Sequence, residues 1–301
     1  MKDIRISASE LINKNRFALP QKASDFANYS FWYYTSLHTA NLILKDKSVY
    51  VSNILKMNDL DEIDMHKEDK ELVHCLCFCN SNTEKIPMWY LYSGITGKGV
   101  SFGITPATMI KLLSTITTIE TVDGKKTLKK GEDFDLEYGW IYYRKKDSPS
   151  KILYKRQWYL IEDNNDDIFK RNNFFIKSYP WEYEKEFRIV FHNKTGIAYE
   201  QLVVNISEIY DKLKIKLAPE ISSEEFIDLL PTLDGFQNFF SHIPLHSDLG
   251  INMNLCKRNI DSFIDYIASE SKKEKNAQDI DLKRICNALG KNCAYKQSCD
   301  C

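Results

Sequence analysis

Four charged residues at alternate positions, Glu182, Glu184, Glu186 and Arg188, are the strongest chemical signal in this sequence. Large apolar residues alternate with them, which predicts a β-strand over 181–191 with one charged face and one apolar face. The residues expected to face a core are Tyr183, Phe187, Ile189 and Phe191. Carboxylates about 7 Å apart along one strand face repel each other. The charged face therefore fits either a solvated surface with an internal Glu–Arg pair or a cleft in which a carboxylate binds a sugar hydroxyl or acts as a base.

Length and composition are those of an ordinary soluble protein. The chain has 301 residues and a formal net charge of -1, which argues against strong non-specific binding to nucleic acid. No apolar run is long enough to span a membrane and the first residues do not resemble a signal peptide, so we expect a cytoplasmic protein without a membrane partner. A basic stretch near 125–130 predicts an exposed loop or, as the alternative, a patch that contacts phosphate. Its residues are Lys125, Lys126, Lys129 and Lys130.

The cysteines fall into two groups. Cys75, Cys77 and Cys79 alternate on one predicted strand, which indicates small buried side chains on one face. The other group is crowded into the last sixteen residues, with spacings unlike those of paired zinc knuckles. These tail residues are expected to be free thiols, and a zinc site with His242 or His246 as reserve ligands is the alternative. They are Cys286, Cys293, Cys299 and Cys301.

Patterning predicts an α+β protein with short, mostly antiparallel strands. Strands are expected at 31–35, 49–52, 72–79, 99–104, 140–143, 201–205 and 214–218. Helices are expected at 36–46, 109–115, 152–169 and 222–230, the first capped by Ser36. The chain is divided into an N-terminal helical or irregular segment (1–27), a main domain (28–252) and a C-terminal helical, cysteine-rich appendage (253–301).

Several blocks, in order, resemble a bacterial family known as domain of unknown function 2971. They include an opening aromatic strand, a serine strand followed by an Asn-Asp loop, a central Met-Trp-Tyr and Lys-Gly region, the acidic strand and a closing Leu-Ala-Pro unit. The resemblance covers roughly residues 28 to 250. The blocks are 32–36, 51–53, 57–62, 77–79, 88–92, 98–103, 181–188 and 216–219.

This family resembles a distant branch of the ADP-ribosyltransferase fold, which implies two small antiparallel sheets around a cleft and NAD as the substrate. By that resemblance, Tyr33 or Tyr34 with Thr35 takes the early-strand role in dinucleotide binding. Ser52, followed by Asn53, takes the second-strand role. The resemblance also implies that Glu186 or Glu184 supports the positively charged ribosyl transition state, while the other carboxylate orients the acceptor.

Further residues complete the predicted dinucleotide site. Trp89 and Tyr92 share a helical face and either pack in the core or stack on nicotinamide or a base. Lys98 before Gly99 either lies in a turn or offers a cation to a phosphate. Many members of the family carry a basic residue or histidine where this chain has Tyr33, so Arg188 or Lys98 would have to supply that charge.

Three functional classes follow. The first is an NAD-consuming ADP-ribosyltransferase, with a bacterial or phage toxin or defence role and an unidentified protein or nucleic-acid acceptor. The second is a catalytically inactive module that binds NAD or a related nucleotide. The third is a protein directed to nucleic acid through its lysine loop and aromatic residues. Turnover of NAD separates the first class from the second, and salt dependence of binding identifies the third.

Overall fold

Short strands make up most of the structure, a computed structural model that describes residues 4–7, 9–11, 30–57, 70–80, 86–93, 98–148, 150–154, 157–161, 173–218 and 221. They form two mostly antiparallel sheets accompanied by few helices, so the predicted α+β class is confirmed. The described residues belong to two compact units. Unit 1 lies within Met1–Tyr33, Lys47–Lys85 and Ile104–Tyr210, and unit 2 lies within Tyr34–Asp46, Ile86–Gly103 and Asp211–Cys301.

The strands in chain order are β1 (Ile4–Ile6), β2 (Phe31–Ser36), β3 (Ser48–Asn53), β4 (Val73–Asn80), β5 (Gly99–Ile104), β6 (Thr118–Thr121), β7 (Thr127–Lys129), β8 (Phe134–Trp140), β9 (Tyr142–Arg144), β10 (Lys151–Tyr154), β11 (Gln157–Ile161), β12 (Ile176–Ser178), β13 (Glu186–Asn193), β14 (Gln201–Asn205) and β15 (Lys214–Leu217). The helices are α1 (Leu37–Asp46), α2 (Ile86–Tyr92) and α3 (Pro106–Thr115). Short 3-10 helices lie at Ile54–Lys56, Lys70–Leu72, Asn173–Phe175, Tyr179–Glu184 and Ser207–Lys212.

Unit 1 contains a five-stranded sheet, called here the small sheet, in the order β1-β11-β10-β9-β12. Its two outer strands pair in parallel with their neighbours, and the inner pairs are antiparallel. In the register of the small sheet, Lys177 of β12 lies opposite Tyr143 of β9, and Tyr143 lies opposite Leu153 of β10. Directly opposed residues share a sheet face, so these three side chains project from the same side.

The rest of unit 1 is organised around β13, which pairs along its length with β4 on one side and β8 on the other. Phe187, Ile189 and Phe191 are fully buried on one face of β13, as predicted. Glu186 and Arg188 on the opposite face are also buried. Of the two alternatives for this face, the solvated surface is excluded for Glu186 and Arg188, because protein covers both sides of the strand. The internal Glu–Arg pair that belonged to that alternative is present.

Unit 2 contains β15, β5 and the end of β2, in that order, with α1 following directly on β2. Helix α1 begins as predicted after Ser36, whose hydroxyl accepts a hydrogen bond from the Thr39 N–H at 3.2 Å. Its buried residues, Ala40, Ile43 and Leu44, follow helical spacing. The helix ends where Lys47 takes a left-handed conformation, with φ 49°.

Three predicted elements differ in the structure. The helix expected over 152–169 is wrong in its first part, because Lys151–Tyr154 and Gln157–Ile161 are paired antiparallel strands; residues 162–169 lie outside the described residues. The strand expected over 140–143 is interrupted at Ile141, between β8 and β9. The acidic strand begins only at Glu186, since Tyr179–Glu184 is a 3-10 helix. The predicted helix 222–230 and the appendage 253–301 lie outside the described residues, as does most of segment 1–27, so the domain boundaries remain predictions.

Candidate functional site

Four charged side chains meet in the interior of unit 1, where the small sheet packs against β13. Lys177 Nζ lies 2.6 Å from Glu184 Oε2 and 3.3 Å from Glu186 Oε2. The other oxygen of Glu186, Oε1, accepts a hydrogen bond from Arg188 Nε at 2.6 Å. None of the four residues is more than 3% exposed. We call this set, Lys177, Glu184, Glu186 and Arg188, the buried charge cluster; its formal charges sum to zero.

Backbone and aromatic groups hold the buried charge cluster in place. Arg188 Nη1 donates to the Phe174 carbonyl at 2.7 Å, and the Glu186 N–H donates to the Tyr143 hydroxyl at 2.8 Å. The Lys177 ammonium lies 4.7 Å from the centroid of the Trp181 ring, within the range of a cation–π interaction. These contacts link β9, β12 and β13, so the cluster joins the two sheets of unit 1.

A sharp change of backbone direction brings Glu184 beside Glu186. Pro180 stands in the first turn of the 3-10 helix Tyr179–Glu184, where its fixed φ is favourable. Lys185 then adopts a left-handed conformation, with φ 46°, and its N–H donates to the Glu182 carbonyl. The two carboxylates meet through this turn and their shared lysine. The predicted mechanism, alternation along one strand, is wrong for Glu184.

The two neighbouring cations control the ionisation of Glu186. Burial raises the pKa of this carboxyl, but the Arg188 guanidinium and the Lys177 ammonium outweigh burial and hold the pKa well below its usual range. Burial raises the pKa of the Tyr143 hydroxyl, and the negative charge of Glu186 raises it further. Glu186 is therefore an anion and Tyr143 a neutral phenol at neutral pH.

The Cys77 thiol also belongs to these surroundings. It lies opposite Arg188 in the β4–β13 register and hydrogen-bonds to Glu186. Burial of the thiol and the charge of Glu186 raise the pKa of Cys77 well above its usual value. Because the thiolate is the nucleophilic form, Cys77 is an unreactive thiol here. The predicted burial of the alternating cysteines is confirmed for Cys75 and Cys79, and Cys77 is partly buried.

We expect the stability of the protein to fall in acid because of Glu186. Its pKa in the folded state lies below the unfolded value of about 4.3. Its contribution to stability is therefore fully present above that value and is lost as pH falls through the folded pKa. Urea unfolding between pH 3 and 7 should show a decline below about pH 4.5 with a slope of up to about 1.4 kcal/mol per pH unit from this group.

The Glu186→Gln variant should lack this part of the acid slope, whereas a variant of exposed Glu132, Glu132→Gln, should keep it. The carbon-13 shift of the Glu186 carboxyl gives an independent readout and should titrate below pH 4. An unchanged slope in Glu186→Gln, or titration of Glu186 near pH 4.5, would contradict the assignment.

Three other predicted site residues also lie in unit 1. Ser52 is half-buried and lies opposite Cys75 of β4, which in turn lies opposite Val190 of β13, so it shares a sheet face with Glu186 and Arg188. Tyr33 projects from the other face, where its ring lies 6.1 Å from that of Phe78. The structure therefore groups Ser52, and not Tyr33, with the face of the cluster.

Asn53 has a structural role. Its side-chain oxygen accepts a hydrogen bond from the Leu55 N–H at 2.9 Å, and its amide nitrogen donates to the Glu71 carbonyl at 2.9 Å. The first bond caps the 3-10 helix Ile54–Lys56. These bonds account for both polar atoms of the side chain.

The remaining predicted dinucleotide contacts belong to unit 2. Trp89 is 2% exposed and packs edge-to-face on Tyr34, with ring centroids 4.7 Å apart, so the core alternative describes Trp89. Thr35 is buried, whereas Tyr92 and Lys98 are half-buried. Tyr92 and Lys98 are therefore the members of this group that reach the surface.

Lys125, Lys129 and Lys130 are exposed, as predicted, and Lys126 is half-buried. The stretch is part of the β6–β7 hairpin of unit 1 and not a loop throughout, because Lys129 belongs to β7. Lys125 pairs with Asp123 at 3.2 Å and Lys129 with Glu132 at 3.6 Å, so acidic neighbours offset part of its positive charge. Within the described residues, no group of three or more His, Cys, Asp or Glu side chains is placed to hold a metal ion. The four tail cysteines lie outside those residues. No described helix combines the length and apolar character that crossing a bilayer requires.

Sequence reasoning missed Lys177 and Tyr143 as members of the site. The available signal was a lysine directly after the apolar run Phe174–Ile176, since a lysine within a buried strand requires a partner. Tyr143 was placed in a strand but was given no role. Lys177 and Tyr143 come close to Glu186 only through the pairing of strands that are far apart in the sequence. Local patterning therefore could not reveal either contact.

Comparison with known proteins gives one family. No curated protein and no solved structure matches the chain. Residues 88–189 match the model of a family described as "Protein of unknown function (DUF2971)". The matched segment contains the Met-Trp-Tyr block and the acidic segment up to Ile189, so this match supports the family assignment drawn from the sequence blocks.

Proposed function

We propose that this chain is a nucleotide-binding module of ADP-ribosyltransferase-like fold in which the buried charge cluster fastens two sheets together and does not turn over NAD. The main observation in support of this proposal is that both carboxylate oxygens of Glu186 contact cations of the protein itself, Arg188 and Lys177. Glu184, the second predicted catalytic carboxylate, contacts the same lysine.

A carboxylate that supports a ribosyl cation must direct negative charge toward the substrate. In the cluster the two carboxylates are matched by two cations, and at most 3% of Glu186 is exposed. The negative charge of Glu186 is therefore already neutralised by internal partners. A sugar would have to displace Arg188 or Lys177 to reach this carboxylate. Breaking a buried pair costs about 3–5 kcal/mol, more than a single new hydrogen bond returns.

The ligand class follows from the family resemblance, which implies NAD or a related nucleotide. Ser52, a predicted contact position in unit 1 on the same sheet face as the cluster, is half-buried and keeps surface through which such a ligand can bind. In this proposal the acidic segment has a structural role: it holds the two sheets of unit 1 together and does not take part in catalysis.

The second candidate function is the NAD-consuming transferase itself, with the toxin or defence role that the resemblance implies. A specific observation favours it: Glu186 is kept ionised, with a second carboxylate beside it. In this candidate, binding of NAD and its acceptor opens the cluster and turns Glu186 toward the ribose.

One experiment separates the two candidates. Purified protein is given NAD, and nicotinamide release and the change in melting temperature are measured for the wild type, Glu186→Gln, Ser52→Ala and the exposed-site control Ser207→Ala. We expect a rise in melting temperature with NAD that is reduced in Ser52→Ala and kept in Ser207→Ala, without nicotinamide release. Release that disappears in a folded Glu186→Gln would establish the transferase. The absence of any effect of NAD on the wild type would overturn the nucleotide assignment.

A further inference from the structure

One buried histidine of unit 1 has no role in the proposed function. His74 of β4 is 0% exposed, and its Nε2 lies 2.8 Å from the carbonyl oxygen of Tyr199. A carbonyl oxygen can only accept a hydrogen bond, so Nε2 carries a hydrogen and the acceptor nitrogen of the neutral ring is Nδ1. Nδ1 is buried and has no hydrogen-bond partner among the residues that the structure describes. His74 therefore holds Tyr199 in place while one of its own polar atoms stays unsatisfied.

The surroundings of His74 disfavour its charged form. Burial lowers the pKa of the imidazole, and the backbone carbonyls of Tyr199 and Leu72 offset only part of this effect. His74 is therefore neutral at neutral pH. A second proton would have to bind Nδ1, which is shielded from solvent and forms no hydrogen bond with the described part of the chain. Proton uptake is therefore favoured only when the ring gains access to water.

The Tyr199 carbonyl belongs to a stretch of chain that lies outside the β-ladders. Residues 194–200, called here the connecting segment, join β13 to β14. Asn193 stabilises the turn at its start, because its side chain donates to the Ile197 carbonyl at 2.6 Å and accepts from the Thr195 N–H at 2.9 Å. Ile197 itself is 50% exposed. The first half of the connecting segment is therefore held mainly by its own turn.

The second half of the connecting segment is weakly attached. Within the described residues, its side chains and carbonyls make two polar contacts with other elements, His74 Nε2 with the Tyr199 carbonyl and Lys56 Nζ with Glu200 Oε1 at 2.8 Å. The second contact is an exposed ion pair, which contributes little to stability. The Tyr199 hydroxyl is buried without a described partner, so hydration of this hydroxyl favours opening. His74 is therefore the main polar attachment of this half.

Charged side chains near His74 do not offer another trigger. β2 and β3, which pair with β4, contain no charged residue. His74 lies opposite Phe191, so it projects from the sheet face opposite to that of the charged residues of β13. The remaining charged residues, on the 3-10 helices beside β4 and on the connecting segment, are Lys56, Lys70, Glu71, Lys194 and Glu200. The shift in the pKa of His74 comes from burial and backbone carbonyls, not from these side chains.

We propose that His74 is an acid sensor that fastens the connecting segment to β4 while it is neutral and releases the segment when it takes up a proton. β13 pairs with β4 along its length and β3 pairs with it beside His74, so the connecting segment is the cover that can leave at least cost. The released segment ends directly before Gln201, which lies opposite Ser52 of β3. Opening therefore loosens the end of the β3–β14 pair at which Ser52 lies. This inference does not rest on the nucleotide function.

The release has a defined direction with pH. In the open segment His74 is hydrated and has a pKa of about 6.5, whereas its pKa in the closed form is lower. The advantage of the closed form is therefore fully present above about pH 6.5 and is lost as pH falls through the pKa of the closed form. Between these two values the ratio of open to closed segment rises about tenfold per pH unit. Glu186 does not titrate there, because its pKa is held well below its usual range.

Nuclear magnetic resonance measures both steps between pH 5 and 7.5. Titration of the His74 ring reports proton uptake, and relaxation dispersion of the amides of residues 195–200 reports the open population. His74→Gln keeps a donor for the Tyr199 carbonyl but cannot titrate, and His38→Gln at an exposed position of α1 is the matched control. We expect the open population of the wild type and of His38→Gln to rise about tenfold per pH unit from pH 6.5 down to the pKa of His74. In His74→Gln it should stay constant.

The variant Tyr199→Phe gives a second test that leaves His74 in place. It removes the buried hydroxyl that lacks a partner, so it should lower the open population at every pH and leave the pH dependence unchanged. Titration of His74 at or above pH 6.5 would overturn the proposal, and so would an equal rise of the open population in His74→Gln. A rise that extends equally to the amides of β4 and β13 would also overturn it, because the sheet would then be unfolding as a whole.

Discussion

Replacing Arg188 with methionine is expected to lower the free energy of unfolding by about 3–5 kcal/mol. Methionine fills much of the same volume, so the loss comes mainly from charge. Without the guanidinium, Lys177 at 3.3 Å is the one cation of the cluster left beside Glu186, and Glu184 shares that lysine at 2.6 Å. The interior then holds one negative charge in excess, and the Phe174 carbonyl loses its 2.7 Å donor.

The double variant Glu186→Gln/Arg188→Met tests whether charge balance is the cause. It removes one anion and one cation and leaves Glu184 paired with Lys177, so it should be more stable than Arg188→Met. The surface control is Lys111→Met, which breaks a 3.1 Å pair with Glu208 and should cost less than about 1 kcal/mol. Urea unfolding of all three variants is the measurement. A cost for Arg188→Met as small as that for Lys111→Met would show that the cluster does not stabilise the sheet junction.

The sequence predicted the core side of β13 correctly because that side depends on local alternation. Phe187, Ile189 and Phe191 are spaced two apart and are all fully buried. The opposite side could not be assigned in the same way. Whether Glu186 and Arg188 meet water depends on the small sheet, whose Lys177 and Tyr143 approach from other parts of the chain. Alternation reveals which residues share a face and leaves open what covers that face.

The strands found at the start of the helix predicted over 152–169 have a related cause. Apolar residues such as Ile152, Leu153 and Leu160 fit a helical face as well as a strand when no turn signal divides them. The connection between β10 and β11 contains Lys155 and Arg156, without the Gly, Asn, Asp or Pro that usually marks a hairpin. The pairing of β10 with both β9 and β11 therefore outweighs local helical preference here.

Replacing Gly99 with alanine is expected to lower the free energy of unfolding by about 3 kcal/mol, at the upper end of what overpacking costs. The added methyl would overlap Ser93 Cβ, Ser93 Oγ and the Thr35 carbonyl oxygen. A flexible side-chain end could swing away from such a contact. A Cβ and a backbone carbonyl cannot move without shifting α2 and β2, so little of the cost can be relieved.

The double variant Gly99→Ala/Ser93→Gly checks this steric cause. Removing the Ser93 side chain eliminates two of the three overlaps and leaves that with the Thr35 carbonyl, so it should recover part of the lost stability. The exposed-site change Ser114→Ala should alter stability by less than about 0.5 kcal/mol. Thermal and urea unfolding give the comparison. A Gly99→Ala variant as stable as the wild type would mean that Ser93 does not occupy the side-chain space of Gly99.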